Sequence, residues 1–399
     1  MVPPLITFDE ALELGELESH DEIAALVERA WAVRRERFGD STDMCSLVNA
    51  KSGGCAEDCG FCAQSRYAEA DTPMHAMMEP EQILEHAQAA EAAGAHRFCM
   101  VTQGQGLSRR DFERIEAGAR LVAEHTNLKR CVSIGHISPD RAQRLAEAGV
   151  QRVHHNVETA RSYYEEVTTT VRYEGRMRTI DAVADAGLET CVGGILNLGE
   201  SPRQRVEMAF ELAEIDPTSV PINLLNPRSG TKFGDRELMD PWEVVKWVAI
   251  FRLVLPDALF RLCGGRVENL DELQPLAVKA GLNGVMMGNF LTTLGAEPAD
   301  DRAMFEELGL DVARQPDNGS HPRPDNRSGW LDGSTPRTPV DDLISSQAEA
   351  SFWDPSTQLR VVKKKNPPPY PERPSDQVAA EPGGGVGDGS DRSPPGWGD

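Results

Sequence analysis

The stretch Ser138-Pro139-Asp140-Arg141-Ala142-Gln143-Arg144-Leu145-Ala146-Glu147-Ala148-Gly149-Val150-Gln151-Arg152-Val153-His154-His155-Asn156 reads as one complete helix-to-strand unit. Ser138 before Pro139 suits a helix start: the serine oxygen accepts from an early backbone N–H, and proline's missing N–H costs nothing there. Gly149 supplies a left-handed cap that ends the helix. The same ending recurs at Ala186-Gly187-Leu188 and Ala280-Gly281-Leu282, and Ser108 before Arg109-Arg110-Asp111 opens another helix. Eight strand candidates keep this rhythm: Cys45–Ala50, Arg97–Val101, Arg130–Ile134, Val150–Asn156, Glu189–Leu196, Val220–Leu225, Leu259–Leu262 and Gly284–Met287. Strands alternating with helices predict an α/β fold with a parallel sheet. Eight units over about 250 residues predict a TIM-type (βα)8 barrel, with a doubly wound open sheet as the alternative. Residues 1–42 predict an N-terminal helical cap, and 43–311 the barrel. Residues 312–399, rich in Pro, Gly, Ser and Asp, predict a largely disordered acidic tail with one short element near 341–352.

The first strand candidate runs into Gly54-Cys55-Ala56-Glu57-Asp58-Cys59-Gly60-Phe61-Cys62. Three thiolates in a C-x3-C-x2-C loop can hold three irons of a 4Fe–4S cluster. The fourth iron is then open to a small molecule, whereas an electron-carrying cluster normally takes four thiolates. A structural zinc site closes with four ligands, usually two distant C-x2-C pairs. Cys45 is a formal candidate for a fourth ligand, but it lies ten residues upstream inside an apolar run. A disulfide framework does not suit a long chain without a secretory segment.

The chain has 399 residues, 40% of them hydrophobic, which is enough for one large domain or two ordinary ones. It has no apolar run of about 18 residues and no signal-peptide pattern at Met1-Val2-Pro3-Pro4-Leu5, so neither a membrane span nor export is expected. Eight cysteines in such a chain indicate a reducing cytoplasm. The net charge of −23 argues against nucleic acid or an anionic membrane as partner. Two readings of that charge stand: a salt-rich cytoplasm that screens it, or a GC-rich genome that trades Lys for Arg.

Barrel active sites form at the C-terminal ends of the strands, and the cysteine loop follows the first strand. Cys99, Cys131 and Cys191 lie within three other strand candidates, and Arg261 within a fourth. One strand cysteine alone is usually core filler. Three beside an iron-binding loop suggest a second, deeper cluster. A 2Fe–2S cluster needs four ligands, and Arg261 and Cys263 are both candidates for the fourth.

Together these residues resemble the biotin synthase family of radical S-adenosylmethionine (SAM) enzymes. The resemblance is carried by Asn49 through Ser65 around the cysteine loop, and by Arg97-Phe98-Cys99-Met100 and His154-His155-Asn156-Val157-Glu158-Thr159. It continues at Val220-Pro221-Ile222-Asn223, Arg261-Leu262-Cys263-Gly264-Gly265-Arg266 and Leu291-Thr292-Thr293. It covers about 40 to 300. The resemblance implies a barrel homodimer with two clusters: Cys55, Cys59 and Cys62 on a SAM-binding 4Fe–4S cluster, and Cys99, Cys131, Cys191 and Arg261 on a 2Fe–2S cluster. It implies SAM contacts from Asn156, Glu158 and Arg176, and substrate contacts from Asn156, Asn223 and Thr293. Glu158 stands where the family often has Asp, so its longer side chain must fold back. His154 stands where the family often has Asn; it is either a donor to a substrate carbonyl or a structural histidine. The segment after Cys99, Val101 through Gly106, also departs from the commonest version.

The implied activity is sulfur insertion between C6 and C9 of dethiobiotin. An external one-electron reductant of flavodoxin or ferredoxin type would drive cleavage of SAM to methionine and a 5′-deoxyadenosyl radical, and the second cluster would donate the sulfur. Three rivals predict different residues. Another radical SAM enzyme on this scaffold, mutase or maturase-like, needs no strand cysteines. A non-catalytic iron–sulfur carrier has no use for an open iron. A zinc-binding interaction protein would contain no iron.

Overall fold

The computed structural model describes residues 2–288, 291, 295–316, 361–362 and 367–371. Thr293 and the stretch 341–352 lie outside these. The N-terminal helices are α1 (Phe8–Gly15), capped by Thr7 accepting from Glu10 N, and α2 (His20–Phe38). The sheet opens with β1 (Cys45–Lys51), followed by the two-residue β2 (Thr72–Pro73). Helices and strands then alternate through α3 (Pro80–Ala92), β3 (Arg97–Thr102), α4 (Arg109–His125), β4 (Lys129–Ser133), α5 (Pro139–Glu147) and β5 (Arg152–His154). Next come α6 (Tyr164–Val167), α7 (Tyr173–Asp185), β6 (Glu189–Cys191), β7 (Gly194–Leu196), α8 (Pro202–Ile215), β8 (Ser219–Leu224), α9 (Pro241–Val254) and β9 (Leu259–Leu262). The described body ends with α10 (Arg266–Leu270), α11 (Gln274–Lys279), β10 (Gly284–Val285) and α12 (Pro298–Glu307), and β11 (Val361–Val362) follows.

The expected caps are present. Ser138 accepts from Arg141 N at the start of α5, and Ser108 from Asp111 N at the start of α4. Gly149 and Gly187, at φ of 84° and 73°, end α5 and α7 in a conformation that a side chain would strain.

Nine strands form one sheet in the order β1-β3-β4-β5-β6-β8-β9-β10, with β7 paired to β8. All of these pairings are parallel. The last strand returns to the first: Cys45 bridges Met286, and Met287 N donates to Cys45 O at 2.7 Å. Gly284 sits at this seam, where an added Cβ would run into Asp43 O. The sheet therefore curls on itself as a barrel, and the doubly wound alternative falls. The expected strand Glu189–Leu196 is divided into β6 and β7. The reason is a bond from outside the strand: Gly193 N donates to Asn156 Oδ1 at 3.1 Å instead of continuing a ladder.

Apolar side chains fill the space between sheet and helices. Helix α9 is buried all round, including Trp247, Phe251 and Lys246, because α1 and α2 cover the side that faces away from the sheet. The Trp247 ring rests on Gly15. Fully burying a large apolar side chain contributes about 1.5–3 kcal/mol, so α9 is a principal fastening of the N-terminal cap. Arg34 of α2 donates to Leu282 O at 3.2 Å, tying that cap to the residues entering β10.

The tail expectation meets an exception. Val361 and Val362 pair antiparallel with Pro73 and Thr72, and Tyr370 stacks on Tyr67 with centroids 5.9 Å apart.

Candidate active site and metal centre

The cysteine loop leaves the C-terminal end of β1 through Gly53, whose φ of 81° and contact with the Met74 side chain both call for glycine. Gln64 Oε1 accepts from Ser52 Oγ and Gly53 N, each at 3.0 Å. Cys55 N donates to Gln64 O, and Arg66 N to Cys55 O. Phe61, just before the last cysteine, packs with Ile195, Leu198, Leu225 and Phe233. These bonds and that apolar foot hold the loop's backbone.

A clamp that the sequence did not announce completes it. The Asp58 carboxylate accepts from Thr168 Oγ1 (2.6 Å), Thr169 N (2.9 Å), Thr169 Oγ1 (2.6 Å), Thr170 N (3.0 Å) and Thr170 Oγ1 (2.8 Å). Burial pushes its pKa up, but these bonds outweigh it and hold the carboxyl at about 2. The run Thr168-Thr169-Thr170 was the available signal. Cys55 and Cys59 are buried and Cys62 is half-buried. Burial pushes the Cys59 thiol up, and holds Cys62 at about 11 with help from neighbouring Cys55. Such thiols ionise when a metal takes the proton's place.

Asn156, Glu158 and Arg176 come together beside this loop. Glu158 adopts φ 71°, and its carboxylate turns toward its neighbours: Oε1 lies 3.2 Å from Arg176 Nη1, and Oε2 accepts from Asn156 Nδ2 at 3.3 Å. Arg176 also donates to Tyr164 Oη (2.6 Å) and Asn156 O (3.1 Å). Burial works against its charge, but Glu158, Tyr164 and Cys59 outweigh that and raise its pKa further.

Deeper in the barrel, Cys99 and Cys131 are register partners on β3 and β4. Arg261 Nη2 lies 3.6 Å from Cys191 Sγ and donates to Ser219 Oγ at 2.7 Å. Below them is a buried charge network that sequence reading missed. Asp43 Oδ2 lies 3.4 Å from both Arg152 Nη1 and Arg261 Nη1, and Glu189 Oε2 takes Arg152 and Arg97. A Cys99 hydrogen bond together with Arg97, Arg152 and Arg261 lowers the Cys131 pKa against burial. Only the structure could show that residues from four strands converge here.

One cavity of about 290 Å³ joins the two regions, lined by Cys62 at one wall and Cys99, Cys131, Cys191 and Arg261 at the floor. Asn223 and His154 also line it. Asn223 is oriented by backbone at both ends: Nδ2 donates to Gly194 O (3.3 Å), and Oδ1 accepts from Gly264 N (3.1 Å). His154 Nδ1 is 3.0 Å from Ser133 Oγ; burial, then Arg261, lower its pKa to about 4.

The donor set fits iron–sulfur clusters. Among the described residues no three His, Cys, Asp or Glu side chains converge as a single metal ion needs; thiols that hold a cluster stand around a larger body. Arg97 Nε, Arg97 Nη1 and Arg261 Nε are buried without a hydrogen bond. A floor of guanidinium donors under thiols suits an anionic group, since buried donors left unmatched are costly.

The Radical SAM superfamily description matches residues 50–213, and the Biotin and Thiamin Synthesis associated domain matches 221–311. The chain is 49% identical over 307 residues to a biotin synthase of Pelotomaculum thermopropionicum, covering 77% of this chain and 95% of that one. It is 44% identical to the biotin synthase of Carboxydothermus hydrogenoformans, covering 76% and 94%. Its fold is similar to that of methylornithine synthase (TM-score 0.67, 17% identity, 78% and 94% covered). It is also similar to that of the FeFe-hydrogenase maturase of Carboxydothermus hydrogenoformans (TM-score 0.66, 16% identity, 76% and 75% covered). Loop thiols and strand thiols on one cavity accord with these matches, and the chain belongs to the biotin synthase family of radical SAM enzymes.

Proposed function

We propose that Cys55, Cys59 and Cys62 hold the SAM-binding 4Fe–4S cluster of this enzyme, and that Cys99, Cys131, Cys191 and Arg261 hold its 2Fe–2S cluster. When bound, these groups supply one-electron cleavage of SAM to a 5′-deoxyadenosyl radical and the sulfur that joins C6 and C9 of dethiobiotin. The observation that carries the assignment is the shared cavity, with Cys62 at its wall and the strand thiols at its floor.

The other residues bind and orient. Arg176 presents a planar fork suited to the methionyl carboxylate of SAM, and Asn156 and Glu158 present acceptors for ribose hydroxyls. Asn223, fixed by backbone at both ends, offers its amide to the ureido ring of dethiobiotin. Thr293 is assigned to substrate by resemblance alone. His154 is neutral near pH 7, so it serves as a hydrogen-bond partner and carries no charge into the cavity. Apolar Leu47, Val101, Ile195 and Leu225 line the remaining wall and keep water from the reacting carbons.

The working unit is residues 43–311, acting as a homodimer in the cytoplasm with a flavodoxin- or ferredoxin-type reductant. Among the described residues no helix is long and apolar enough to cross a membrane. The experiment is anaerobic reconstitution of Cys59→Ala and Cys131→Ala. Cys59→Ala should form no 5′-deoxyadenosine. Cys131→Ala should still cleave SAM but form no biotin. Biotin at the wild-type rate from Cys131→Ala would remove the sulfur-donor assignment.

A further inference from the structure

Five buried thiols line the floor and wall of the cavity beyond the loop: Cys45, Cys99, Cys131, Cys191 and Cys263. The proposed second-cluster set uses three. Cys45 and Cys263 are left over, and their positions are not scattered. The holders fall into two pairs, Cys99 with Cys131 by register, and Cys191 with Arg261 at 3.6 Å. Cys45 packs with Cys99 and Cys131. Cys263 follows the end of β9, two residues beyond Arg261, and both line the cavity. Each pair therefore has one surplus thiol. Core filling alone would not place both against open volume.

We propose that Cys45 and Cys263 are reserve iron ligands, which take up the two irons of the second cluster when a bridging sulfide leaves in the product. The proposal rests on the assignment of Cys99, Cys131, Cys191 and Arg261 to that cluster. In a 2Fe–2S cluster each iron has two bridging sulfides and two protein ligands. A departing sulfide breaks one bond to each iron and forms two C–S bonds with two carbon radicals. That coupling releases two electrons, which reduce the two ferric ions to ferrous. Each iron is then one ligand short. One thiol binds each, forming two Fe–S bonds, and two protons leave through the cavity mouth to water. Soft thiolates retain iron that oxygen ligands would release.

The test uses fully loaded wild-type, Cys45→Ala, Cys263→Ala and doubly substituted enzyme, with Cys45→Ser and Cys263→Ser to preserve side-chain size. Each completes one turnover anaerobically with dethiobiotin and SAM, and then meets a ferrous chelator. Iron released is counted per biotin formed, so that a slower variant is not misjudged. Wild type should retain its iron. Each single variant should release iron at least about tenfold faster, the scale on which losing a metal-site contact weakens affinity. Iron-57 Mössbauer spectra should show sulfur-rich ferrous sites in wild type, and fewer sulfur ligands in the variants. Equal release by wild type and variants would overturn the proposal. So would variants that fail to load the second cluster at all, because the thiols would then be resting ligands. Biotin formation by Cys131→Ala would instead overturn the underlying assignment.

Discussion

Glu158 and Arg176 meet at 3.2 Å, with Glu158 in the left-handed backbone region at φ 71°. A non-glycine residue there costs about 1–3 kcal/mol and persists only where its surroundings demand it. Here Ile195 N donates to Glu158 O at 2.7 Å, locking the backbone while the carboxylate reaches Arg176. The carboxylate and guanidinium thus hold each other in a fixed orientation. Arg176→Lys loses the planar fork. A charge-assisted hydrogen bond contributes about 1.5–3 kcal/mol, so SAM affinity should fall roughly 10- to 150-fold. Isothermal titration with SAM on cluster-loaded protein checks this; unchanged affinity would sink the role given to Arg176.

Asp58 is the clamp of the cysteine loop. Asp58→Asn turns an acceptor-only group into one that presents N–H groups to N–H and O–H donors. We expect loop order to suffer more than global stability, with a cost of about 1–3 kcal/mol for the buried carboxylate's lost bonds. The sign with pH follows from a folded pKa of about 2 against an ordinary 3.8. The clamp is fully present above about pH 4 and is lost as pH falls through 2. Iron content after reconstitution at pH 7.5 should therefore drop in Asp58→Asn, while wild type keeps its cluster down to mild acidity.

His96 gives a different pH signature. Met44 N donates to its Nδ1 (3.3 Å), so Nε2 carries the hydrogen and donates to Val312 O (2.8 Å). Burial lowers its pKa from 6.5, and the pull of Asp43 and the backbone bonds does not restore it. Below about pH 6.5 the unfolded chain binds that proton more readily, so stability falls as pH drops, by at most about 1.4 kcal/mol per unit for one group. Other buried histidines add to the slope, so the measurement is a difference. Urea midpoints of His96→Gln should fall less steeply than those of wild type between pH 6.5 and 5.5.

Strand existence was legible because Ala-Gly endings and serine caps act locally, as Ser138 and Gly149 show. The division of β6 from β7 was not, because it depends on Asn156, in the loop after β5, reaching Gly193 across 37 residues of chain. Cys55, Cys59 and Cys62 were legible by spacing. The Asp43–Arg152–Arg261 network was not, since its members are 218 residues apart at the extremes (261 − 43) and meet only when the barrel closes.

The tail is where the local composition rule worked least well. Low apolar content left no sign that Val361–Val362 would pair with β2 or that Tyr370 would stack on Tyr67 beside the loop. A half-buried aromatic pair contributes about 0.5–1.5 kcal/mol, so truncation after residue 316 should leave the melting temperature nearly unchanged. Biotin formation should persist within about twofold on the same reasoning. Loss of turnover in a truncated protein that keeps both clusters would give the tail a role in catalysis.

Buried guanidinium N–H groups left over after Arg97 has met Glu189 and Arg261 has met Ser219 have a consequence for the life of the protein in a cell. A group that binds only the folded chain shifts the folding equilibrium toward it by mass action. Arg261 on the cavity floor, backed by buried Arg97, makes that floor a receptor for negative charge, so iron and sulfide supply would govern how much folded enzyme accumulates as well as how fast it works. In iron-poor growth its abundance should fall at constant messenger level, through faster proteolysis of unloaded chains.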